Sequence, residues 1–201
     1  MVKVTKEAAQ QNHQDLVRAT GQMMRAQGVS VATVANIAAH AGLTHGAIYR
    51  HFSSKDDLAA AAISADFDTI VALVNRIGAE GGSLADYFRA YLAADHRDHF
   101  VWGCPVAPLA AEIGRTVQPV KAAFAEGLAR NLAAIAALSG ITDEAEARSY
   151  AISALATLSG AMAMARATRG CEPETSQQIL EETLRTLLAD PRIAGRAQVT
   201  S

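Results

Sequence analysis

The stretch that decides the fold runs from Thr33 to Leu58 and reads TVANIAAHAGLTHGAIYRHFSSKDDL. Thr33 suits the N-cap of a short helix, because its hydroxyl can accept a hydrogen bond from a free backbone N–H. The apolar residues that follow recur at helical spacing and form one narrow face: Val34, Ile37, Ala38 and Ala41. Gly42 supplies the left-handed residue that ends this helix, and Thr44 begins a second short helix whose Ile48 points back to the core. The pattern predicts a helix-turn-helix.

The second short helix is expected to carry polar and small residues on its outer face. Those residues are Thr44, His45, Gly46, Tyr49 and Arg50. A small residue near the N-terminus lets such a helix approach base edges in the major groove, where a bulky one would block it. Ser54 and Asp57 have the spacing of a capping box for the next helix, and Lys55 lies where a cation and backbone amides together can hold a phosphate. The segment therefore predicts binding to double-stranded DNA.

The charge distribution favours the same interpretation. Residues 1–55 carry six basic and two acidic side chains, a net charge of +4, so the remainder must carry −6 to give the chain's net charge of −2. A basic segment on an acidic body suits a protein that touches phosphate with one end only. No apolar run approaches the ~18–20 residues of a membrane span, and the N-terminus lacks the apolar segment of a signal peptide. We therefore expect a cytoplasmic protein whose two distant cysteines are reduced.

Helical periodicity is the main pattern along the 201 residues, half of which are apolar. Strand-like alternation is nearly absent, and all five prolines lie after residue 104. The predicted fold class is all-α. Nine helices are predicted, at residues 5–27, 33–40, 44–51, 54–78, 83–99, 105–114, 117–139, 142–169 and 173–189.

The segment from Thr33 to Leu58 closely resembles the signature of the TetR family of bacterial repressors. The matching positions are Thr33, Ile37, Ala38, Ala41, Gly42, Gly46, Tyr49, Phe52, Lys55 and Leu58. The resemblance implies a helix-turn-helix DNA-binding domain of three helices, at residues 1–53, and a helical domain for ligand binding and dimerisation, at residues 54–201. It also implies a homodimer that binds a palindromic operator and is released by a small-molecule inducer.

The resemblance assigns roles to individual residues of the helix-turn-helix. Thr33, Tyr49 and Lys55 look like phosphate contacts, and Thr44, His45 and Gly46 align with positions that face the groove. Arg50 and His51 are plausible further contacts with phosphate or bases. At His45 many relatives have lysine, serine or arginine, so the preferred DNA sequence cannot be carried over.

A cavity in the body is the second predicted feature. Tyr87, Phe88, Tyr91, Phe100 and Trp102 concentrate in one segment of a chain that is only 5% aromatic. They could line a ligand cavity or form an ordinary core. The residues predicted to bind the small molecule are Phe67, Tyr87, Phe88, Tyr91, Phe100, Trp102, Cys104, Tyr150 and Met162. A body without a cavity would instead favour an architectural DNA-binding protein that has no ligand.

Cys104 admits two interpretations. Gly103, Cys104 and Pro105 precede a short helix, whose N-terminus favours a reactive thiolate, and some similar repressors sense electrophiles or oxidants through cysteine. Burial beside Phe100 and Trp102 would oppose this effect and leave Cys104 as packing.

The polar stretch before Cys104 suggests neither a metal site nor an enzyme. Asp95, His96, Asp98 and His99 could offer metal ligands, but an exposed helix end explains them as well. Glu112 completes the candidates for catalysis, and no nucleophile–base pair or cofactor motif supports them. We predict no metal, no cofactor and no enzymatic activity.

Two apolar stripes near the C-terminus predict a homodimer through residues 142–189. The first comprises Tyr150, Ala151, Ala154, Leu155, Leu158, Met162 and Ala165, and the second comprises Ile179, Leu180, Leu184, Leu187 and Leu188. Paired with the same helices of a second copy, they would form a four-helix bundle. The alternative is that both stripes face the core of their own subunit.

Overall fold

The computed structural model describes residues 6–99 and 103–194 of the chain. These residues form eleven α-helices and one 3₁₀ turn and contain no strand, which confirms the all-α prediction. The helices are α1 (Lys6–Gln27), α2 (Val34–His40), α3 (His45–His51), α4 (Lys55–Ala79), α5 (Leu84–Tyr91), α6 (Ala94–Asp98), α7 (Val106–Ile113), α8 (Gln118–Ser139), α9 (Glu144–Thr168), α10 (Pro173–Leu188) and α11 (Pro191–Ala194), and the 3₁₀ turn η1 is Val29–Val31. None of these helices is both long and apolar enough to cross a membrane.

Two apolar cores organise the helices. We call α1, α2 and α3 the head and the helices from α4 onward the body. The head-side core joins the three head helices to the first turns of α4 and α8 and to α7. Its fully buried members include Leu16, Met24, Ile37, Ile48, Leu58, Ile63 and Leu109. The body core lies between the second half of α4, α5, α8, α9 and α10. Val106 of α7 and Leu128 of α8 pack against both cores, so the two cores meet at these helices.

The prediction of a single helix at residues 83–99 is wrong, because this segment forms two helices, α5 and α6. Leu92 ends α5, and Ala93 has an extended backbone conformation (φ −67°, ψ 145°). The Nδ1 atom of His96 lies 2.6 Å from the carbonyl oxygen of Tyr91, which satisfies a backbone acceptor at the end of α5. A side chain that folds back in this way stabilises the break.

The capping box predicted for α4 is half present. The hydroxyl of Ser54 accepts the backbone N–H of Asp57 at 3.0 Å, as predicted. The carboxylate of Asp57 accepts a hydrogen bond from the hydroxyl of Ser53, however, instead of reaching back to the backbone of Ser54. Ser54 therefore caps the N-terminus of α4, and Ser53 holds the side chain of Asp57.

The apolar stripe predicted to form the dimer interface on α9 belongs to the core of its own subunit. All seven of its members are buried in the body core. On α10, Leu180 and Leu187 are buried in the same core, while Ile179 and Leu184 are partly buried against it. The periodicity identified an apolar side of α9, but within one chain that side lies in the body core, where α9 packs against α7, α8 and α10.

Candidate DNA interface and ligand cavity

The turn between α2 and α3 presents α3 to solvent. Gly42 has φ +67°, in the left-handed region, and the N–H of Leu43 donates to the carbonyl of Ala38 at 2.9 Å to close the end of α2. Ala47 and Ile48 are 6% and 0% exposed and anchor α3 to the head-side core. The opposite face of α3 is exposed and consists of Thr44, His45, Gly46, Tyr49 and Arg50.

Packing within the subunit does not explain why two positions on the exposed face of α3 hold a tyrosine and a glycine. Tyr49 is 52% exposed, although an aromatic ring gains free energy when it is covered. A Cβ added at Gly46 would meet nothing within 4 Å, so packing within the subunit does not require a glycine there. The ring of His45 lies 5.6 Å from the ring of Tyr49. This face has the small and polar character of a surface that approaches another molecule closely.

Two helix N-termini flank the exposed face of α3 in the chain. The hydroxyl of Thr33 accepts the N–H of Asn36 at 3.2 Å and keeps its own proton for a further acceptor. Thr44 occupies the N-cap position of α3, but its hydroxyl makes no capping hydrogen bond. Lys55 is the first residue of α4 and is half-buried. Backbone N–H groups and one cation are therefore available to an anion at these termini.

His51 differs from the other predicted DNA contacts because it faces inward. Its ring lies edge-on to that of His13 at 5.9 Å, and His13 in turn stacks on Phe52 at 4.6 Å. Burial, His13 and Arg50 all lower the pKa of His51. A neutral, half-buried imidazole suits the packing between α1 and α3 better than a charged contact with phosphate.

A cavity of about 520 Å³ lies in the body next to Gly103 and Cys104, which precede α7. It is lined by Thr69, Ile70, Leu73, Tyr87, Ala90, Tyr91, Asp95, His96, His99, Gly103 and Cys104. Three residues predicted to bind the small molecule are among them: Tyr87, Tyr91 and Cys104. The aliphatic part of the lining, from α4 and α5, was missed, because the sequence argument followed aromatic residues only.

Four other residues predicted to bind the small molecule are described by the structure and do not line this cavity. Phe88, Tyr150 and Met162 are buried in the body core and are not among the described lining residues of this cavity. Phe67 belongs to the head-side core, where it contacts Phe124 edge-on at 5.3 Å. Phe100 and Trp102 lie outside the described residues.

Of the two interpretations of Cys104, the structure favours packing over a reactive thiolate. The side chain is only 2% exposed, and burial raises the pKa of its thiol to about 11. Hydrogen bonds from the backbone N–H of Val106 and the hydroxyl of Tyr91 act in the opposite direction and are outweighed. The N-terminus of α7 does point at the sulfur, as predicted, but the loss of solvent around the thiolate costs more than this contact returns.

The polar residues near the cavity are engaged in local contacts. His99 is exposed and contacts the carboxylate of Asp95 at 3.0 Å. Burial lowers the pKa of His96, so we assign its Nδ1 as the protonated nitrogen that donates to Tyr91. Among the described residues, no three histidine, cysteine or acidic side chains group as metal ligands would.

A contact that sequence reasoning missed joins α7 to the head. The carboxylate of Glu112 accepts the backbone N–H of Val29 at 2.9 Å, across 83 positions of the chain. Gly28 has φ +91°, and a Cβ there would lie 2.7 Å from the Oε1 atom of Glu112. The backbone conformation therefore favours glycine at position 28, and a side chain there would also displace the carboxylate of Glu112.

Two family models match the chain. Residues 16–62 match the model described as bacterial regulatory proteins of the tetR family. Residues 83–173 match the C-terminal domain of LmrA/YxaF-like transcriptional regulators. The first match spans the helix-turn-helix, and the second spans α9 and the part of the cavity lining from Tyr87 to Cys104.

Individual relatives share either a stretch of sequence or the fold of most of the chain. The regulator TtgR of Pseudomonas putida is 39% identical over 69 residues, which are 34% of this chain and 33% of TtgR. The match thus spans about a third of that relative's length. NemR of E. coli in its reduced form has a TM-score of 0.71 at 18% identity, covering 88% of this chain and 95% of that one. A TetR-family regulator from Agrobacterium tumefaciens has a TM-score of 0.70 at 21% identity, covering 89% and 98%. At these identities, the two structures show a shared fold.

Proposed function

Because the chain belongs to the TetR family of bacterial transcriptional regulators, a class of regulators and not of enzymes, we propose that it is a ligand-responsive repressor. In this proposal, two copies bind a palindromic operator in the cytoplasm and release it when a small molecule occupies the body cavity.

The exposed face of α3 is the main support for the proposal that the protein binds DNA. Tyr49 is half exposed, and Gly46 leaves open space where other residues would project a side chain. A major-groove helix needs both features, because its N-terminal residues approach base edges while an aromatic hydroxyl can reach the backbone. Thr33 and Lys55 are the proposed further phosphate contacts, and His45 is the proposed base contact.

The side of α9 that faces away from the body core, which we call its outward face, supports the proposal that the protein forms a dimer with a second copy of itself. Ile152 and Met164 are 47% and 55% exposed, which is unusual for large apolar side chains on a helix. Between them lie exposed small residues: Ala156, Gly160 and Ala163. Small residues let two helices approach closely, and the large ones at both ends would be covered by the same face of the second copy. This face replaces the buried stripe as the proposed interface.

The cavity beside Cys104 supports the proposal that the protein binds a small molecule. Its volume of about 520 Å³ is within the range of small-molecule sites, and its wall combines aliphatic and aromatic side chains with a few polar ones. The ligand would act by binding better to dimers whose two heads are wrongly spaced for adjacent major grooves.

Selection of duplexes from a random-sequence pool tests the proposal directly. We expect the protein to enrich a near-palindrome, and light scattering to give two copies per duplex. A stable monomer that binds a single half-site with the same affinity would contradict the dimeric mode. Failure to enrich any sequence would contradict specific DNA binding.

A further inference from the structure

Helix α7 contacts both the wall of the cavity and the DNA-binding head. Gly103 and Cys104, which line the cavity, come immediately before it. At its other end, Leu109 and Ile113 are 0% and 4% exposed in the head-side core. The helix packs against α1 and η1 of the head and against α8 and α9 of the body. It is therefore a second connection between cavity and head, in addition to the long α4.

The cavity end of this connection has little freedom. Gly103 has φ +112°, and a Cβ there would overlap the Nε2 atom of His96. His96 is itself fixed by its contact with the carbonyl of Tyr91. His96 and Gly103 therefore lie in close contact, and a molecule that pushes His96 toward Gly103 would press on the start of α7.

The head end of the connection is a single directional contact. The carboxylate of Glu112 holds the N–H of Val29, the first residue of η1. The other end of η1 is tied to α2, because the side-chain amide of Asn36 donates to the carbonyl of Val31 at 2.9 Å. Thr33, at the N-cap of α2, follows two residues later. Two hydrogen bonds thus link Glu112 to the start of α2 through η1.

We propose that Glu112 is a positioning residue that couples the cavity to the DNA-binding head through α7. The inference rests on the proposed function, since it concerns the regulation of the same DNA-binding surface. A hydrogen bond to a backbone N–H weakens steeply when its angle or length changes, whereas apolar packing tolerates small sliding. A shift of α7 would therefore release η1 before it disrupted Leu109 and Ile113.

The first test compares two variants of Glu112 with an exposed glutamate on α8 as control. Glu112→Ala removes the acceptor, Glu112→Gln keeps an oxygen that can accept the same N–H, and Glu126→Ala removes a carboxylate elsewhere. Affinity is measured by fluorescence anisotropy with a duplex that the wild type selects from a random pool. We expect about a tenfold loss for Glu112→Ala, about the wild-type affinity for the other two variants, and faster amide exchange at Val29 in Glu112→Ala only.

The second test perturbs the cavity without a ligand. Gly103→Ala, or Ala90→Phe if the first variant does not fold, is combined with Glu112→Ala in a double-mutant cycle. We expect each cavity variant to change DNA affinity in the wild-type background and to have less than half that effect, as a fold-change, in the Glu112→Ala background. Equal effects in both backgrounds would overturn the inference, because the signal would then bypass Glu112.

The two tests separate this inference from the proposed function. A wild-type protein that selects no duplex would overturn the proposed function, and the inference with it. A wild type that selects a duplex and a Glu112→Ala variant that binds it equally well would overturn the inference alone.

Discussion

Arg25 of α1 and Asp66 of α4 form an ion pair whose two side chains are only 7% and 12% exposed. The carboxylate of Asp66 also lies against Gly21, where an added Cβ would be 2.7 Å from Oδ1. A charged contact thus fastens the first helix of the head to the helix that runs into the body. A cavity of about 620 Å³ opens beside it between α1 and α4.

Asp66→Ala is expected to lower the free energy of unfolding by about 3 kcal/mol, because it leaves the guanidinium of Arg25 buried without this carboxylate. Urea denaturation measures the change. Asp68→Ala is the matched control: Asp68 pairs with Arg130 at 2.8 Å, but both side chains are about half exposed. Its effect should stay below about 1 kcal/mol. Equal effects of the two variants would show that the buried pair adds nothing beyond an exposed one.

Variants of the head should separate phosphate contacts from base contacts. Tyr49→Phe and Lys55→Ala are expected to weaken binding to all duplexes, and Lys55→Ala should reduce the dependence of affinity on salt by about one ion. His45→Ala should instead relax the preference at particular base pairs. Arg76→Ala, at the far end of α4, is the control for a lost positive charge. If all three head variants changed sequence preference alike, the proposed roles would be incorrect.

Cys104 should react more slowly with iodoacetamide than the exposed Cys171 at neutral pH, since its sulfur is buried and protonated. The pKa of Cys104 is raised from 9.0 to about 11. Between these two pH values, the thiol keeps its proton in the folded state and loses it in the unfolded chain. Its contribution to stability is therefore present below pH 9 and is lost as the pH rises to about 11. Mass spectrometry of time-resolved labelling measures the rates. Faster labelling of Cys104 would restore the interpretation as an electrophile sensor.

Asn131→Leu is expected to stabilise the protein. Asn131 is 0% exposed on α8, and neither atom of its amide has a hydrogen-bond partner among the described residues. Removing an unsatisfied buried amide should raise the free energy of unfolding by about 1–2 kcal/mol. Ser139→Ala on the same helix is the control and should destabilise, because that hydroxyl donates to Ala136 at 2.6 Å and accepts from Ile141 at 3.1 Å. Destabilisation by Asn131→Leu would instead indicate that the amide has a bound partner.

A charge on the outward face of α9 should produce monomers. Ala156→Glu and Ala163→Glu place a carboxylate on the proposed interface, while the exposed positions leave the subunit core intact. Light scattering measures the mass, and circular dichroism checks the fold. Ala129→Glu, an exposed position on α8, should leave the dimer unchanged. A dimer that tolerates both changes on α9 must use another surface.

Most helix boundaries could be predicted from the sequence because local signals set them. Thr33, Ser54 and Asp143 accept the backbone N–H of the third residue beyond them, and Gly42 and Gly140 end helices in the left-handed conformation. The break between α5 and α6 could not be predicted in this way. Its cause is the imidazole of His96 on the carbonyl of Tyr91, and no periodicity records such a contact.

The contacts that depend on tertiary structure were the ones that sequence reasoning missed. Both sides of α9 are apolar enough to be buried, so periodicity alone could not tell the core side from the outward side that carries Ile152 and Met164. The bond between Glu112 and Val29 spans 83 positions, and either residue alone is unremarkable. For Cys104, the sequence supplied both opposing effects on the pKa but not their sizes.

The meeting of two cores at α7 and α8 has a consequence for building hybrid regulators. Leu109 and Ile113 of α7 and Val120 of α8 complete the core beneath α1, α2 and α3. A chimera that exchanges only residues 1–53 would join a foreign apolar surface to these three side chains. In such a chimera, the foreign residues that replace Gly28 and Val29 would also have to leave room for the carboxylate of Glu112 and donate a backbone N–H to it. The DNA-binding specificity of a transplanted head should therefore be kept best when residues 106–124 are transferred with it, even though about a quarter of the chain separates them from the head.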